Sequence, residues 1–423
     1  MLEVDGQHLA AVHVGTGAPP PDAERLDGLT LPGLANAHSH AFQRALRGRT
    51  HDGAGSFWTW REQMYEFAGA LDPDRYLALA RATFAEMALA GITLVGEFHY
   101  VHHGARGRPY ADPNAMGHAI IAAAAEAGVR LTLLDACYLH GGIDTEPDET
   151  QRRFCDVGAE GWASRVDALP EGPRTRIGAA IHSVRAVDPA AATVVAAWAT
   201  GRARPLHAHV SEQAAENDAC RAAYGRTPTA LLGEAGVLSE RFTAVHATHL
   251  TDEDVALLGS AGACVCMCPT TERDLADGIG AARRLTAAGV RLTLGSDSHA
   301  VIDLLEEARA VELDERLATG VRGHHRAEDL LRAATGDGYA SLGWPGGGRL
   351  TPGAPADLTT LALDGVRLAG TDAAHAAGAV VFSGAASDVR DVMVGGRWIV
   401  RGGRHLGLDV PAELDAATRA LAQ

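Results

Sequence analysis

Between about Thr30 and Ala300 the chain repeats one unit eight times: a short β-branched or apolar run, then an alanine-rich stretch with apolar residues at helical spacing. The runs are "LTLPGLANA", "ITLVGEFHY", "RLTLLDACY", "RIGAAIHSV", "PLHAHVSE", "FTAVHATH", "ACVCMCP" and "RLTLGSDSH". Intervening stretches such as "PDRYLALARATFAEMALAG" and "AMGHAIIAAAAEAG" end in glycine, as helices commonly do. Eight strand–helix units in series are the number that closes a parallel sheet on itself, so the expected fold is α/β, a (β/α)8 TIM barrel. The two ends of the chain read differently. "RLTPGAPADLTTLALDG" and "VRDVMVGGRWIVRGGRHLG" alternate strand-like runs with turn residues, as does the stretch before Thr30. They predict a small β-sandwich domain built from both termini, 1–29 and 346–423, beside a barrel over 30–345, with a helix from Pro411 to Gln423.

Chemistry on a barrel of this kind sits at the carboxyl ends of the strands, and the histidines gather there. His38 and His40 end the first run; alternate residues of a strand point the same way, so both imidazoles enter one space. Glu97, His99 and Tyr100 end the second run, His182 and Arg185 follow the fourth, and His207, His209 and Glu212 the fifth. His246 and His249 close the sixth, and Asp297 with His299 the eighth. Imidazoles converging with a carboxylate are the donor set of one divalent ion, Zn²⁺ or Fe²⁺, with room left for a water. Spacing alone leaves His207 and His209 equal as ligands. His102, His103, His324 and His325 fall in loops and are expected to be solvated.

Charge and composition narrow the function. A net charge of -16 without a basic block argues against nucleic-acid or anionic-membrane partners and favours a small molecule. No run approaches the roughly 20 apolar residues of a membrane span, and the amino terminus lacks a basic segment leading into an apolar one, so a cytoplasmic protein is expected. The chain contains no lysine, which removes Schiff-base chemistry and a carbamylated lysine bridging two metals; a metal site would be mononuclear. Cys264, Cys266 and Cys268 alternate on one strand face, and with no C-x-x-C pair in the chain they are expected to be small buried hydrophobes.

The order H-x-H, His, His, Asp on strands one, five, six and eight, with a split β domain carrying "PADL", resembles the amidohydrolase superfamily over nearly the whole chain. Within it, "NAHSHAFQRAL", "SFWTWREQMY", "EFHYVHH", "IHSVRAV", "HAHVSEQ", "VHATH" and "GSDSH", in that order, are similar to the formimidoylglutamate deiminase family. That resemblance implies hydrolysis of N-formimidoyl-L-glutamate to N-formyl-L-glutamate and ammonia in histidine degradation, and a homodimer. It assigns the metal to His38, His40, His209 and Asp297, leaving His207 as a supporting or packing residue. It makes Gln43, Tyr100 and His182 substrate contacts. Arg185 and, on the loop after Gly55, Arg61 would clamp the carboxylates of a dicarboxylate, since arginine pairs with carboxylate in bidentate fashion. His246 would take the proton of the attacking water with Asp297 assisting, and Glu212 would carry a proton to the departing nitrogen. The segment "MCPTTERDLADG" departs from the pattern, with Pro269 and Arg273 in an expected loop. A superfamily deaminase acting on a purine, a pyrimidine or S-adenosylhomocysteine is the alternative, and a non-catalytic scaffold of the same fold a more distant one.

Overall fold

The computed structural model describes residues 1–15, 19–51 and 55–421. Two short strands, β1 (Leu2–Asp5) and β2 (His8–Val12), form an antiparallel hairpin, and β3 (Leu29–Pro32) follows. The barrel strands are β4 (Leu34–Ser39), β5 (Ile92–His99), β6 (Arg130–Cys137), β7 (Thr175–Ile181), β8 (Leu206–Val210), β9 (Phe242–His246), β10 (Cys264–Met267) and β11 (Arg291–Leu294). They pair in parallel in chain order, each with the next. Six of the eight, β4, β5, β6, β8, β9 and β10, are buried along their whole length, as a sheet wrapped by helices requires.

Strands β12 (Leu358–Leu361), β13 (Val389–Val394), β14 (Arg397–Arg401) and β15 (Arg404–His405) complete a five-stranded sheet with β3 at its edge. The expected first barrel strand "LTLPGLANA" thus divides at Gly33: Leu29–Pro32 pairs antiparallel with β12, and Leu34–Ser39 enters the barrel. The β1–β2 hairpin closes over the small sheet through Leu9, Ala354, Ala356, Leu358 and Met393, giving the small lobe its own core from both termini. The last helix, Val410–Leu421, joins the helix Pro73–Leu89 through Arg81 and Glu413, 2.5 Å apart; residues 422 and 423 lie outside the described part.

One carboxylate ties the lobes together. Asp357 Oδ2 accepts from Arg130 Nε at 2.6 Å and from the Tyr339 hydroxyl at 2.7 Å. Its Oδ1 accepts from Arg130 Nη2 at 3.1 Å and from the Gly395 N–H at 2.7 Å. Arg130 begins β6, Tyr339 lies on a helix packed against the barrel, and Gly395 turns between β13 and β14.

Candidate active site

The barrel closes at the meeting of its first and last strands, and the candidate ligands sit on that seam. The Asp297 N–H donates to the His38 carbonyl and the His40 N–H to the Asp297 carbonyl, both at 3.1 Å. Gly295 permits the approach: a Cβ there would stand 2.7 Å from His38 Cβ and 2.8 Å from its carbonyl oxygen. Asp297 Oδ1 consequently lies 3.3 Å from His38 Nε2 and 3.4 Å from His40 Nε2. His209, from β8, brings its Nε2 to 3.1 Å from that of His38 and 3.4 Å from that of His40.

Those separations suit a cation. Donors about 2.1 Å from a tetrahedral ion stand roughly 3.4 Å from one another. Hydrogen bonding among the rings does not account for the cluster, because the Nε2 atoms of His40 and His209 face each other at 3.4 Å with their protons on Nδ1. His40 Nδ1 donates to the Phe98 carbonyl at 2.9 Å and His209 Nδ1 to the His182 carbonyl at 2.7 Å, which leaves each Nε2 lone pair turned inward. Burial keeps the rings neutral, lowering His40 and His209 below the ordinary imidazole range and His38 to about 3.

His246, at the end of β9, stacks on His209 with ring centroids 5.7 Å apart and planes 14° from parallel. Its Nε2 is 3.8 Å from both Glu212 Oε1 and Asp297 Oδ2. Its Nδ1 is 3.3 Å from Glu272 Oε1, which the Cys268 N–H also holds at 2.8 Å. Burial works against charge on this ring, but Glu212, Glu272 and Asp297 outweigh it and raise its proton affinity above the ordinary value. Ser211, His246, Ala247 and Asp297 all adopt positive φ, from 42° to 65°. Left-handed non-glycine residues cost of order 1–3 kcal/mol each and concentrate at functional sites; here they turn the chain sharply after β8, β9 and β11.

Above this cluster opens a cleft of about 630 Å³, partly open to solvent. Gln43, Arg61, Tyr100, His182, Arg185, Glu212 and His246 all line it. Gln43 Nε2 donates to the Tyr100 hydroxyl at 3.1 Å, leaving its buried Oε1 without a partner. Arg61 and Arg185 each carry a buried Nε with no hydrogen-bond acceptor among the described residues. Arg185 Nη2 is 3.5 Å from Glu212 Oε2 and its guanidinium lies over the Phe57 ring at 5.5 Å; that of Arg61 stacks on Trp58 at 4.6 Å and on Tyr65 at 5.4 Å.

Several expectations need correction. Arg61 lies on the helix Phe57–Ala70, not on a loop, and Pro269 and Arg273 lie on the helix Pro269–Asp274, where Arg273 pairs with Glu306 at 3.0 Å. His102, His103 and His325 are buried, and His324 is half-buried, so none of the four loop histidines is fully solvated. Glu97 and His99, at the end of β5, do not line the cleft. Glu97 accepts from Ser39 Oγ at 2.6 Å and from the Ala41 N–H at 2.7 Å, and burial pushes its pKa up to about 8. His99 packs on Tyr76 and His102, with Asp135 nearby. His207 donates to the Ser341 carbonyl at 3.2 Å, away from the cluster. Cys264, Cys266 and Cys268 are buried free thiols. Sequence reasoning missed Glu272 behind His246, Glu216 behind Arg185, and the aromatic lining of Phe57, Trp60, Tyr65, Tyr138 and Phe154. Of these only the aromatic-rich "SFWTWREQMY" left a local signal.

Residues 29–399 match the amidohydrolase family. The chain belongs to that family. Amidohydrolases are metal-dependent, in keeping with the histidine–aspartate cluster. The chain is 42% identical over 400 residues to a formimidoylglutamate deiminase of Pseudomonas aeruginosa, covering 91% of this chain and 87% of that one. It is 29% identical over 421 residues to a 5-methylthioadenosine/S-adenosylhomocysteine deaminase of Natronomonas pharaonis, covering 99% and 91%. A crystal structure of an amidohydrolase from Brucella melitensis superposes with a TM-score of 0.91 at 34% identity, covering all of this chain and 96% of that one.

Proposed function

We propose that this amidohydrolase hydrolyses N-formimidoyl-L-glutamate to N-formyl-L-glutamate and ammonia, a step of histidine degradation. One observation carries the reading: two arginines, Arg61 and Arg185, whose buried Nε atoms have no hydrogen-bond acceptor among the described residues, line the cleft over a histidine–aspartate cluster. In a protein of net charge -16, two fixed cations in a cleft suit a substrate with two carboxylates. Similarity to the Pseudomonas aeruginosa deiminase supports it.

A single divalent ion, for which zinc is our choice, would be held by His38, His40, His209 and Asp297, act as a Lewis acid and bring the pKa of a water toward neutrality. Arg185 and Arg61 bind the two carboxylates, and Gln43, Tyr100 and His182 orient the formimidoyl end. His246, between Glu212 and Asp297, takes the proton from the attacking water, with Asp297 assisting. The new C–O bond makes the formimidoyl carbon tetrahedral. Glu212 delivers a proton to the terminal nitrogen as its C=N bond becomes single, and the proton taken by His246 reaches the same nitrogen by way of Glu212. The C–N bond then breaks to release ammonia, and the hydroxyl proton passes back to Glu212 as the formyl C=O forms.

The test is ammonia release from N-formimidoyl-L-glutamate beside a panel of purines and pyrimidines, with metal content measured on the same preparation. Turnover confined to the formimidoyl compound is expected, at one ion per chain. A ring deaminase is the second reading, favoured by the aromatic lining of the cleft; it gives Arg61 and Arg185 no substrate carboxylate to bind, and turnover of a purine or pyrimidine alone would select it.

A further inference from the structure

Arg185 has a second acidic neighbour that the proposed chemistry does not use. Glu216, on the helix Ala214–Tyr224, is 1% exposed, and neither of its carboxylate oxygens has a hydrogen-bond partner. Its Oε2 stands 3.7 Å from Arg185 Nε, itself buried and without an acceptor. On the other side of the guanidinium is Glu212, at 3.5 Å. One cation therefore lies between two carboxylates before any substrate arrives.

Adding a substrate carboxylate to Arg185 puts a third anion beside one buried cation, an arrangement that low-dielectric surroundings penalise unless a proton enters. Of the two resident carboxylates, Glu216 is the one that lies outside the cleft and faces no part of the proposed reaction. We propose that Glu216 is the exchangeable counter-charge of Arg185: it holds and balances the guanidinium in the free protein, and takes up a proton when the substrate carboxylate replaces it. The inference rests on the dicarboxylate reading above. It makes Glu216 a positioning residue and a determinant of specificity for anionic substrates.

The charged groups facing Glu216 are Arg185 after β7, Glu212 after β8 and His246 at the end of β9; the Ser211 backbone contributes a neutral dipole. Burial raises the Glu216 pKa to about 7, with Arg185 opposing and Glu212 adding to the rise. Neutralising Arg185 with a ligand removes the opposing influence, so the pKa climbs further on binding. A group whose pKa is raised by binding favours the complex below its free-state value and weakens it above.

N-formyl-L-glutamate, the product of the proposed reaction, is the probe, because its own carboxylates do not titrate near neutrality. Its inhibition constant on the metal-loaded wild-type protein should be flat below about pH 7 and rise toward roughly tenfold per pH unit above it. Calorimetry in two buffers of different ionisation heat should find proton uptake approaching one per site at the alkaline end. Glu216→Gln should abolish the uptake, flatten the profile, and bind the product more tightly than wild type at high pH. A purely structural role would weaken binding equally at every pH. Binding by wild type without proton uptake, or uptake that survives in Glu216→Gln, overturns this inference alone. No binding at any pH overturns it together with the dicarboxylate reading.

Discussion

Two buried histidine clusters flank the wall of this barrel, and they differ in how their charge is settled. In the cleft, His38, His40, His209 and Asp297 converge at 3.1–3.4 Å with no arginine or other fixed donor on the carboxylate oxygen facing the rings. Outside the wall, His99, His102 and Asp135 also bring donor atoms together. There, however, Arg165 binds both oxygens of Asp135, at 2.7 and 2.9 Å, and Trp162 Nε1 donates to it at 3.1 Å. The Arg165 charge holds Asp135 at a pKa of about 2 although burial pushes the other way. The outer cluster has its own cation built in; the inner one turns imidazole nitrogens and a carboxylate oxygen toward one point with no guanidinium among them. Histidine and aspartate in proximity are therefore not enough to mark a metal centre, and the deciding feature is an unmet demand for positive charge.

Removing one member from each cluster separates them most sharply. His209→Ala or Asp297→Ala should leave purified protein without its metal and without measurable turnover, whereas retention of a full ion would undo the contrast at once. Next come Glu212→Gln and His246→Asn, which should retain the metal and lose roughly 10²–10⁴ in kcat; metal loss in His246→Asn would make that ring a ligand. On the outer side, Asp135→Asn removes one of the two carboxylates that Arg165 binds, leaving Asp156 at 2.8 Å, and should cost about 1–3 kcal/mol in a denaturant titration. Metal content in that variant should stay at the wild-type value, and a fall would join the two clusters into one system.

Arg185→Met should cost about 2–5 kcal/mol in kcat/KM on N-formimidoyl-L-glutamate. An uncharged amidine of similar size should be much less affected, and equal losses on both compounds would make Arg185 structural. Arg273→Ala, a surface ion-pair partner remote from both clusters, should change stability by no more than about 0.5 kcal/mol and leave activity unaltered.

The inner cluster was legible in the sequence because strand geometry does the placing. Period two sends His38 and His40 to one side, and a closed barrel brings Asp297 to them; for His209 over His207, which spacing left equal, it took the family resemblance. What surrounds the strands was not legible. His102 looks like a loop residue in "EFHYVHH", yet the chain folds over it and its Nε2 donates to the Ala136 carbonyl at 2.9 Å. Arg61 follows a glycine-rich stretch and Arg273 a proline, which locally suggest loops, but burial of Phe57 and Met64, and of Pro269 and Thr271, makes helices of their segments. "LTLPGLANA" reads as one strand because nothing local shows that Gly33 hands its N–H to the Asp357 carbonyl, far along the chain, at 2.8 Å. Glu216 and Glu272 act only through partners on other strands, which no local pattern encodes.

Asp357 bears on how such a chain can be taken apart and recombined. Its carboxylate sits in the small lobe, while the guanidinium and phenol it answers, Arg130 and Tyr339, belong to the barrel side. A barrel grafted onto a foreign appendage inherits a buried arginine with no anion, a defect worth several kcal/mol. A foreign barrel offered to this appendage meets a buried carboxylate instead. The lobes are thus heritable only as a matched set, and a chimera that crosses between them has to carry Arg130, Tyr339 and Asp357 as one cassette.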